Sequence, residues 1–264
     1  MRIGILGTGS YVPEKVLTND DLAKIVDTND EWITTRTGIK ERRIASENEA
    51  TSDLAFCAAK KAINDAGIDK NEIDLIIVAT MTPDHFTPST AALVQDKLGI
   101  KAAAFDISAA CTGFVYAFTT GYSFIKSGIY KKVLVIGAET MSRVMDWSDR
   151  GTCILFGDGS GAVVLGEVQT GGFCASHLVA DGSGACELIV PAGGSRKVVT
   201  VEALENKETY LQMNGREIFK FAVKVFPESV DDVLKQQNIT ADDIDLFIPH
   251  QANIRIIESI AKRF

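Results

Sequence analysis

An internal repeat restricts the possible fold of this chain more than any other feature. Residues 63 to 79, INDAGIDKNEIDLIIVA, align without gaps on residues 234 to 250, LKQQNITADDIDLFIPH. Both copies have the pattern of a helix end followed by an apolar strand, and Gly67 aligns with Asn238, the other residue type that tolerates a left-handed helix cap. A chance match between two common α/β motifs is the alternative, and duplication is the better explanation. The repeat therefore predicts a fold built from two related α/β halves.

Strand and helix patterns alternate along the chain. The run TSDLAFCAAKKAINDAG predicts a helix that begins near Thr51 and ends before Gly67. Short runs rich in Val and Ile predict strands, and they read RIGIL, DLIIVAT, AAAFDIS, KKVLVIGAE and GAVVLGE. This order predicts the α/β class, with one half at residues 1–170 and the other at residues 171–264. Fewer residues follow the repeat in the second half, and its helix-like end has no Gly or Pro stop signal, so the second half is expected to be incomplete.

Composition and charge exclude several classes of protein. The formal net charge of −8 argues against a nucleic-acid binder, because phosphate backbones attract clustered Lys and Arg. No uninterrupted apolar window reaches the ~18 residues of a membrane span, and the amino terminus has no basic leader, so we predict a cytoplasmic protein without a membrane segment. The five cysteines are odd in number and lack CxxC spacing. Neither a disulfide framework nor a metal site is therefore expected.

Cys111 is the candidate nucleophile. It lies in DISAACTGFVYAFTTG, residues 106 to 121, where a strand pattern passes into a helix pattern. The free N–H groups and the positive dipole at a helix start favour a thiolate, so the pattern predicts a pKa below the ~8.5 of a free cysteine. Small neighbouring residues leave space for a substrate carbonyl, and the same N–H groups are suited to stabilising an oxyanion. A buried structural cysteine is the alternative, since that is the usual role of a lone cysteine in an apolar run.

Three histidines are candidates for a partner to this thiol. His85 lies in a loop pattern rich in Pro and Thr, and His177 lies in an alternating strand pattern where a structural role is more common. His250 follows the apolar strand pattern IDLFIP, and the carboxyl edge of strands is where α/β sheets bind their ligands. Because Cys111 also follows a strand, in the other half, a pseudo-twofold pairing of the halves is expected to bring Cys111 and His250 together.

Two glycine-rich stretches are similar to nucleotide-binding loops without matching them. GTGS at residues 7 to 10 follows the first strand but lacks the third glycine of a dinucleotide motif, so a tight turn is the better interpretation. FGDGSGA at residues 156 to 162 lacks the Lys of a phosphate loop and is interpreted as a turn between packed strands. No nucleotide cofactor is therefore predicted.

Six stretches occur together in a specific order along the chain. They are GTGSYVPE (7 to 14), DEWITTRTGIKER (30 to 42), AACTGF (109 to 114), DRGT (149 to 152), FGDGSGA (156 to 162) and PHQANIRII (249 to 257). In these stretches the chain resembles the β-ketoacyl-acyl carrier protein synthase III family, whose enzymes initiate type II fatty acid synthesis. The resemblance implies a duplicated thiolase-like fold with layered α-β-α-β-α architecture. It also implies a transferase in which acyl-CoA, with acetyl-CoA expected, acylates Cys111 and malonyl-acyl carrier protein then supplies a carbon nucleophile by decarboxylation.

The resemblance implies roles for further residues. His250 is expected to stabilise the enolate charge that decarboxylation builds, and Asn253 to support His250. Four residues are expected to bind CoA, with Trp32 and Arg150 on either side of the adenine and polar contacts from the other two: Thr28, Trp32, Arg36 and Arg150. Without the resemblance, Trp32 would be read as a core residue and Arg150 as a solvated surface charge.

Phe86 and Thr87 are implied to belong to the acyl pocket. Thr87 stands where some relatives have a bulky aromatic residue that crosses the dimer interface and shortens the pocket. A smaller residue there predicts acceptance of longer or branched primers, although Phe86 is large enough to fill the same space.

The implied partners are acyl-CoA as a substrate rather than a cofactor, malonyl-acyl carrier protein, and a second copy of the chain in a homodimer, with no nucleic acid or membrane. The acidic carrier protein needs a local basic patch on a chain of negative net charge, and ordinary solvated charge is the alternative reading of any one such residue. The residues expected to form the patch are Lys220, Lys224, Arg255, Lys262 and Arg263.

The family's third catalytic residue, an asparagine in a GNTSA-like motif, is implied to lie further along than Phe264. We therefore expect that this chain lacks a carboxyl-terminal segment and condenses poorly. One alternative function is a truncated, non-catalytic thiolase-fold remnant that binds CoA or a partner. Another is a related CoA-condensing enzyme, such as hydroxymethylglutaryl-CoA synthase or a chalcone-type synthase.

Overall fold

The computed structural model describes residues 1–264, which form two compact units. The first unit comprises Met1–Val16, Arg43–Met141 and Gly157–Cys174, and the second comprises Leu17–Arg42, Ser142–Phe156 and Ala175–Phe264. The last change of unit, after Cys174, lies close to the division predicted at residue 170. The second unit also takes up two segments of the first half, which the sequence pattern did not indicate.

Nine strands form one large sheet and two small ones. Their bounds are β1 Ile3–Tyr11, β2 Lys15–Thr18, β3 Glu41–Ile44, β4 Leu75–Ala79, β5 Ala103–Ile107, β6 Val133–Thr140, β7 Asp158–Glu167, β8 Leu188–Ile189 and β9 Gln212–Met213. The large sheet has the order β1-β7-β6-β4-β5, in which β4 is parallel to β5 and β6, whereas β7 is antiparallel to β1 and β6. β2 pairs with β3, and β8 pairs with β9. All five strands predicted from the apolar runs are present, and they make up the large sheet.

Eight α-helices accompany the strands. Their bounds are α1 Asn19–Leu22, α2 Asp30–Thr37, α3 Thr51–Asp65, α4 Thr90–Leu98, α5 Gly113–Lys126, α6 Val201–Glu205, α7 Gly215–Gln237 and α8 Ile254–Ala261. The helix predicted to begin near Thr51 is α3. No helix combines the length and the apolar character that crossing a membrane requires.

Both faces of the large sheet are buried. Along β4, Leu75, Ile77 and Ala79 pack in the cluster beneath α5, whereas Ile76 and Val78 pack in the cluster beneath α3 and α4. A strand that is buried on both faces has a continuous apolar run instead of an alternating one, which explains the sequence LIIVA. The first unit is therefore a three-layer α-β-α sandwich.

The glycines of the GTGS stretch lie inside β1 and not in a turn, which corrects the interpretation made from sequence. A Cβ atom at Gly7 would lie 2.2 Å from the backbone nitrogen of Ala66, and one at Gly9 would lie 2.3 Å from the carbonyl oxygen of Ala58. Both clashes are with α3 or its cap, because this helix packs directly on the backbone of the strand. FGDGSGA likewise continues into β7 instead of forming a turn.

The second unit has an apolar core of its own. Leu22, Ile33, Cys153 and Ile154 are buried in it, and Trp32 packs against it partly buried. This core joins α2 to the segment that follows β6 in sequence. Only the halves of β2 and β3 within residues 17–42 belong to this unit, and its other strands are the two-residue strands β8 and β9.

The internal repeat is visible in the local geometry of both copies. α3 and α7 are each followed by a left-handed residue, Gly67 with φ of 63° and Asn238 with φ of 54°. A short 3₁₀ turn comes next in both, at Lys70–Glu72 and at Ala241–Asp243. The helix end and the left-handed cap predicted from the aligned residues are therefore both present.

The second copy of the repeat differs from the prediction in its last part. Residues 244–250 form no strand, whereas the corresponding part of the first copy is β4. A strand requires a neighbour that accepts and donates its ladder of hydrogen bonds, and no segment pairs with these residues. Leu246 and Ile248 are accordingly exposed.

Candidate functional site

Cys111 lies after the carboxyl end of β5, in the short turn that leads into α5. It is the middle residue of the 3₁₀ turn Ala110–Thr112, and it is exposed, unlike the buried structural cysteine considered as the alternative. Ala110 has φ of 47°, a left-handed conformation that residues with a Cβ rarely adopt. The backbone therefore turns sharply just before the thiol and places it at the start of α5, as the strand-to-helix pattern predicts.

The ionisation of Cys111 is opposite to the prediction. Part of its surface meets solvent, yet the surrounding protein removes enough water to raise the pKa of the thiol. The backbone N–H of Cys111 lowers this pKa by less than desolvation raises it, and the negative charge of Glu139 adds a smaller increase. The helix start thus does not outweigh desolvation, and the predicted lowering of the pKa is wrong. At neutral pH the resting side chain is a thiol.

Glu139 is a site residue that the sequence analysis missed. It lies at the end of β6, and because β5 and β6 both run parallel to β4, it shares the carboxyl edge of the sheet with Cys111. Its carboxylate accepts hydrogen bonds from the backbone N–H of Met81 at 2.8 Å and from the N–H and hydroxyl of Thr82 at 3.1 and 2.5 Å. Desolvation raises the pKa of this carboxyl, and the hydrogen bonds oppose the shift. Its sequence signal was an acidic residue directly after a buried apolar run.

Trp32, on α2, has two guanidinium groups over its ring. The Cζ atoms of Arg36 and Arg150 lie 4.3 and 5.1 Å from the ring centroid. Arg150 also donates from Nη1 to the backbone carbonyl oxygen of Asp27 at 2.9 Å. The adjacent residue, Thr28, has a buried hydroxyl that makes no hydrogen bond. The structure therefore brings together the residues predicted to bind CoA, and we refer to Thr28, Trp32, Arg36 and Arg150 as the Trp32 cluster.

A buried polar network supports this cluster. Arg42 donates from its guanidinium to Oδ1 of Asn19 at 2.9 Å and to the carbonyl oxygen of Ile154 at 3.1 Å. Asn19 in turn donates from Nδ2 to Oδ1 of Asp30, the first residue of α2, at 2.8 Å. The network therefore links α2 to the segment that contains Arg150. Neither Arg42 nor Asn19 is predicted from the sequence, because nothing in the sequence separates Arg42 from the arginine beside it.

His250 belongs to the second unit, whereas Cys111 belongs to the first. Desolvation lowers the pKa of the His250 imidazole, which is therefore neutral at pH 7 and keeps one N–H donor. Asn253, predicted to support His250, is the N-cap of α8, where its Oδ1 accepts from the backbone N–H of Ile256 at 3.0 Å. It makes no hydrogen bond to His250, so the supporting role stays a prediction.

The other two histidines, His85 and His177, do not follow the carboxyl end of a strand pattern as His250 does. His85 is exposed on the segment between β4 and α4, as the loop pattern predicts. His177 lies outside any strand, contrary to its alternating pattern, and its Nδ1 is 3.3 Å from Oδ2 of Asp232.

Phe86 and Thr87 lie on the segment of residues 80–89 that connects β4 to α4, which we refer to as the β4–α4 segment. Phe86 is 91% exposed, and Thr87 is exposed as well. The two side chains therefore line no enclosed pocket within the first unit, and their role in an acyl pocket stays a prediction. The physical reason is that no other side chain of the unit covers them.

The basic residues predicted to bind the carrier protein lie on α7 and in and after α8. Lys220 pairs with Glu217 at 2.6 Å, and Arg263 pairs with Asp231. The remaining three form no ion pair within the chain: Lys224, Arg255 and Lys262.

Comparison with known proteins identifies the family. The family model described as 3-oxoacyl-[acyl-carrier-protein (ACP)] synthase III matches residues 105–182, and the model of its C-terminal part matches residues 234–264. The chain is 56% identical over 262 residues to the beta-ketoacyl-[acyl-carrier-protein] synthase III of Caldanaerobacter subterraneus subsp. tengcongensis, covering 98% of this chain and 79% of that protein. It is 54% identical over 264 residues to the enzyme of the same name from Clostridium acetobutylicum, covering 99% of this chain and 80% of that protein.

A solved structure agrees with these sequence matches. The crystal structure of 3-oxoacyl-[acyl-carrier-protein] synthase III from Aquifex aeolicus matches with a TM-score of 0.89 at 49% identity, covering 99% of this chain and 80% of that one. The predicted thiolase-like α/β fold and the predicted acyltransferase class are confirmed. Neither the expected absence of a carboxyl-terminal segment nor the alternative of a non-catalytic remnant is borne out by these matches. The chain belongs to the β-ketoacyl-acyl carrier protein synthase III family.

Proposed function

We propose that this protein transfers an acyl group from acyl-CoA to malonyl-acyl carrier protein, releasing CO₂ and forming 3-oxoacyl-acyl carrier protein, the first condensation of fatty acid synthesis. The observation that carries the proposal is the position of Cys111, an exposed thiol between left-handed Ala110 and the start of α5. Acetyl-CoA is the proposed acyl donor. It is a substrate, and no separate cofactor takes part.

The first half-reaction acylates Cys111. Its sulfur attacks the acyl carbonyl carbon as the thiol loses its proton, the bond from that carbon to the sulfur of CoA breaks, and the leaving thiolate takes up a proton. The free backbone N–H groups at the start of α5 are suited to stabilising the oxyanion of the tetrahedral intermediate. Because the pKa of the thiol is raised, proton loss accompanies the attack instead of preceding it.

The second half-reaction forms the carbon–carbon bond. The malonyl group loses CO₂, the resulting enolate carbon attacks the thioester carbon on Cys111, and Cys111 leaves as a thiolate. We assign to His250 an N–H hydrogen bond to the malonyl thioester oxygen, where negative charge develops. Its lowered pKa supports this role, because a neutral imidazole keeps a donor at pH 7. Asn253 supports His250 with the amide group that also caps α8.

The Trp32 cluster is the proposed site for the adenine and phosphates of CoA. A flat ring between Trp32 and Arg150 needs two contacts of ~3.5 Å, so the present 5.1 Å between Cζ and the ring centroid requires Arg150 to move outward by about 2 Å. Arg150 is exposed, so this movement has a low cost. The buried hydroxyl of Thr28, which has no partner, supports a polar contact with the ligand.

The acidic carrier protein is proposed to dock beside α8. Arg255 on this helix and Lys262 at its end form no ion pair and keep their charge available to a partner. Lys224 contributes in the same way from α7. Lys220 and Arg263 contribute less than the sequence predicts, because neighbouring carboxylates already offset their charge.

We also propose a homodimer in the cytoplasm. The exposure of Phe86 supports a second copy that covers the β4–α4 segment and completes the acyl pocket. The small side chain of Thr87 supports use of longer or branched primers beside acetyl-CoA. All five cysteines are free thiols, which supports a reducing compartment.

Intact mass spectrometry with peptide mapping tests the proposed function. After incubation with acetyl-CoA we expect one acetyl group on Cys111, and after addition of malonyl-acyl carrier protein we expect loss of this group and appearance of acetoacetyl-acyl carrier protein. The Cys111→Ala variant is expected to lose both results. The Cys186→Ser variant, which removes a different exposed thiol, is the matched control and is expected to keep both. An unmodified Cys111 in the parent protein contradicts the proposal.

A further inference from the structure

We propose that Glu139 is a positioning residue that determines which acyl chains reach Cys111, because its carboxylate fixes the start of the β4–α4 segment that carries Phe86 and Thr87. The inference rests on the proposed function, since it concerns the acyl donor of the same site. It adds a residue that lies outside the predicted acyl pocket and acts on that pocket through the backbone.

Four donors converge on the Glu139 carboxylate from the first three residues of the segment. Oε1 accepts from the backbone N–H of Met81 at 2.8 Å. Oε2 accepts from the backbone N–H of Thr82 at 3.1 Å and from its hydroxyl at 2.5 Å. The hydroxyl of Thr80 lies 3.4 Å from the same oxygen. The Glu139 side chain therefore contacts three consecutive residues at the end of β6. Thr82 is also held by the hydroxyl of Thr51, which donates to its carbonyl oxygen at 2.5 Å, and by the backbone N–H of Thr140, which donates to its hydroxyl oxygen at 2.8 Å.

The rest of the segment is held at Asp84, near its middle, and at the start of α4. Asp84 accepts from the N–H and the hydroxyl of Ser52 at 2.8 and 2.7 Å, and beyond the segment Asp106 accepts from the backbone N–H groups of Thr90 and Ala91 at 2.7 Å each. Between these anchors residues 85–88 are exposed, and Phe86 has a very high exposed fraction. The path of residues 85–88 is thus set by its anchors, and Glu139 holds the start of the segment, which leads to the anchor at Asp84.

Glu139 also acts on the nucleophile through its charge. It raises the pKa of the Cys111 thiol, which shows that the carboxylate and the thiol share one electrostatic environment. The other carboxylates near this end of the sheet are Asp84, Asp106 and Asp158, and each accepts a hydrogen bond from a backbone N–H. A change at Glu139 therefore has two separate consequences, one for the segment and one for the thiol.

Three variants separate these consequences. Glu139→Gln removes the charge and one acceptor, whereas Glu139→Asp keeps the charge but withdraws the carboxylate from the segment by one methylene. Thr82→Val leaves the carboxylate unchanged but removes a donor to it on the segment side, together with the acceptor of the Thr140 N–H. The matched control is Glu167→Gln, because Glu167 ends β7 at the opposite edge of the same sheet and is exposed.

Two measurements are made on each protein. The first is acylation of Cys111 by acetyl-CoA and by hexanoyl-CoA, followed by intact mass. We expect the hexanoyl-to-acetyl rate ratio to rise at least about fivefold in Glu139→Gln, Glu139→Asp and Thr82→Val, and to stay unchanged in Glu167→Gln. The second is the pH profile of Cys111 alkylation by iodoacetamide, which needs no acyl-CoA. At pH 7 we expect alkylation to be about threefold faster or more in Glu139→Gln only.

The outcomes distinguish this inference from the proposed function. If the parent protein is acylated and the rate ratio is the same in all variants, Glu139 does not position the segment and the inference is overturned alone. An equal fall of both rates in Glu139→Gln, with no change of ratio, also overturns it, because that result indicates a general loss of structure. If no acyl-CoA modifies the parent protein, the proposed function fails as well. Should Glu139→Gln not fold, Glu139→Asp and Thr82→Val decide the first measurement.

Discussion

Arg42 is the only charged side chain buried in the second unit, and it has no carboxylate partner. Its guanidinium donates to the carbonyl oxygens of Leu17 and Ile154 and to Oδ1 of Asn19, and its Nε makes no hydrogen bond. Desolvation lowers its pKa. A buried charge is tolerated with neutral acceptors only where several of them converge on it. This one residue therefore fixes the relative position of the two segments that form the Trp32 cluster.

Replacing Arg42 by Met is expected to lower the free energy of unfolding by about 3 kcal/mol, because three buried acceptors lose their donor. Urea unfolding followed by tryptophan fluorescence measures this change. The matched control is Arg43→Met, at the next residue of β3, which is only partly buried and is expected to lose less than about 1 kcal/mol. Equal losses in the two variants would show that burial of Arg42 is not the cause.

At the scale of elements, the backbones of β1 and α3 lie so close together that a Cβ atom on the strand would not fit between them. The contact is between the strand backbone at Gly7 and Gly9 and the helix backbone from Ala58 to Ala66. The helix presents alanines on this side: Ala55, Ala58, Ala59 and Ala62 are fully buried. Small residues on both elements are thus a requirement of the packing distance, and the GTGS stretch has a packing role.

We expect Gly9→Ala to destabilise the protein by about 3 kcal/mol or more, because the new Cβ would lie 2.3 Å from the carbonyl oxygen of Ala58, a backbone atom that cannot move aside alone. Gly161→Ala is the control. Gly161 lies on β7, opposite Ser10 of β1, and a Cβ there meets no atom within 4 Å. Thermal and urea unfolding of the two variants check the prediction, and a similar stability of both would contradict it.

Asn253, the N-cap of α8, has one observed role and one proposed role, and different substitutions separate the two. Asn253 caps the helix with its oxygen, and we propose that its amide supports His250. Asn253→Asp keeps an oxygen acceptor and is expected to retain stability while lowering the condensation rate at least about tenfold. Asn253→Ala is expected to lose about 1 kcal/mol of stability in addition. If Asn253→Asp condenses at the parent rate, the residue is a helix cap only.

Across the whole molecule, the sequence predicts the structural features that depend on residues close together in the chain. The strands of the large sheet follow from apolar runs such as LIIVA, and the end of α3 follows from Gly67. The raised pKa of Cys111 was not predictable, because it arises from desolvation and from Glu139, which is distant in sequence. The strand predicted within residues 244–250 failed for a related reason, since a strand depends on a neighbour as well as on its own residues.

The net charge of −8 sets a requirement on the whole molecule, because an acidic carrier protein is repelled except where basic residues gather. We expect Arg255→Glu to weaken binding of malonyl-acyl carrier protein at least about tenfold at low salt, while acylation of Cys111 by acetyl-CoA stays unchanged. Titrations at several salt concentrations measure this, and the difference between variant and parent is expected to shrink as salt screens the charges. Lys101→Glu, at an exposed lysine ahead of β5, is the control for the change in net charge. If both variants weaken binding equally, net charge governs the encounter and α8 is not the docking surface.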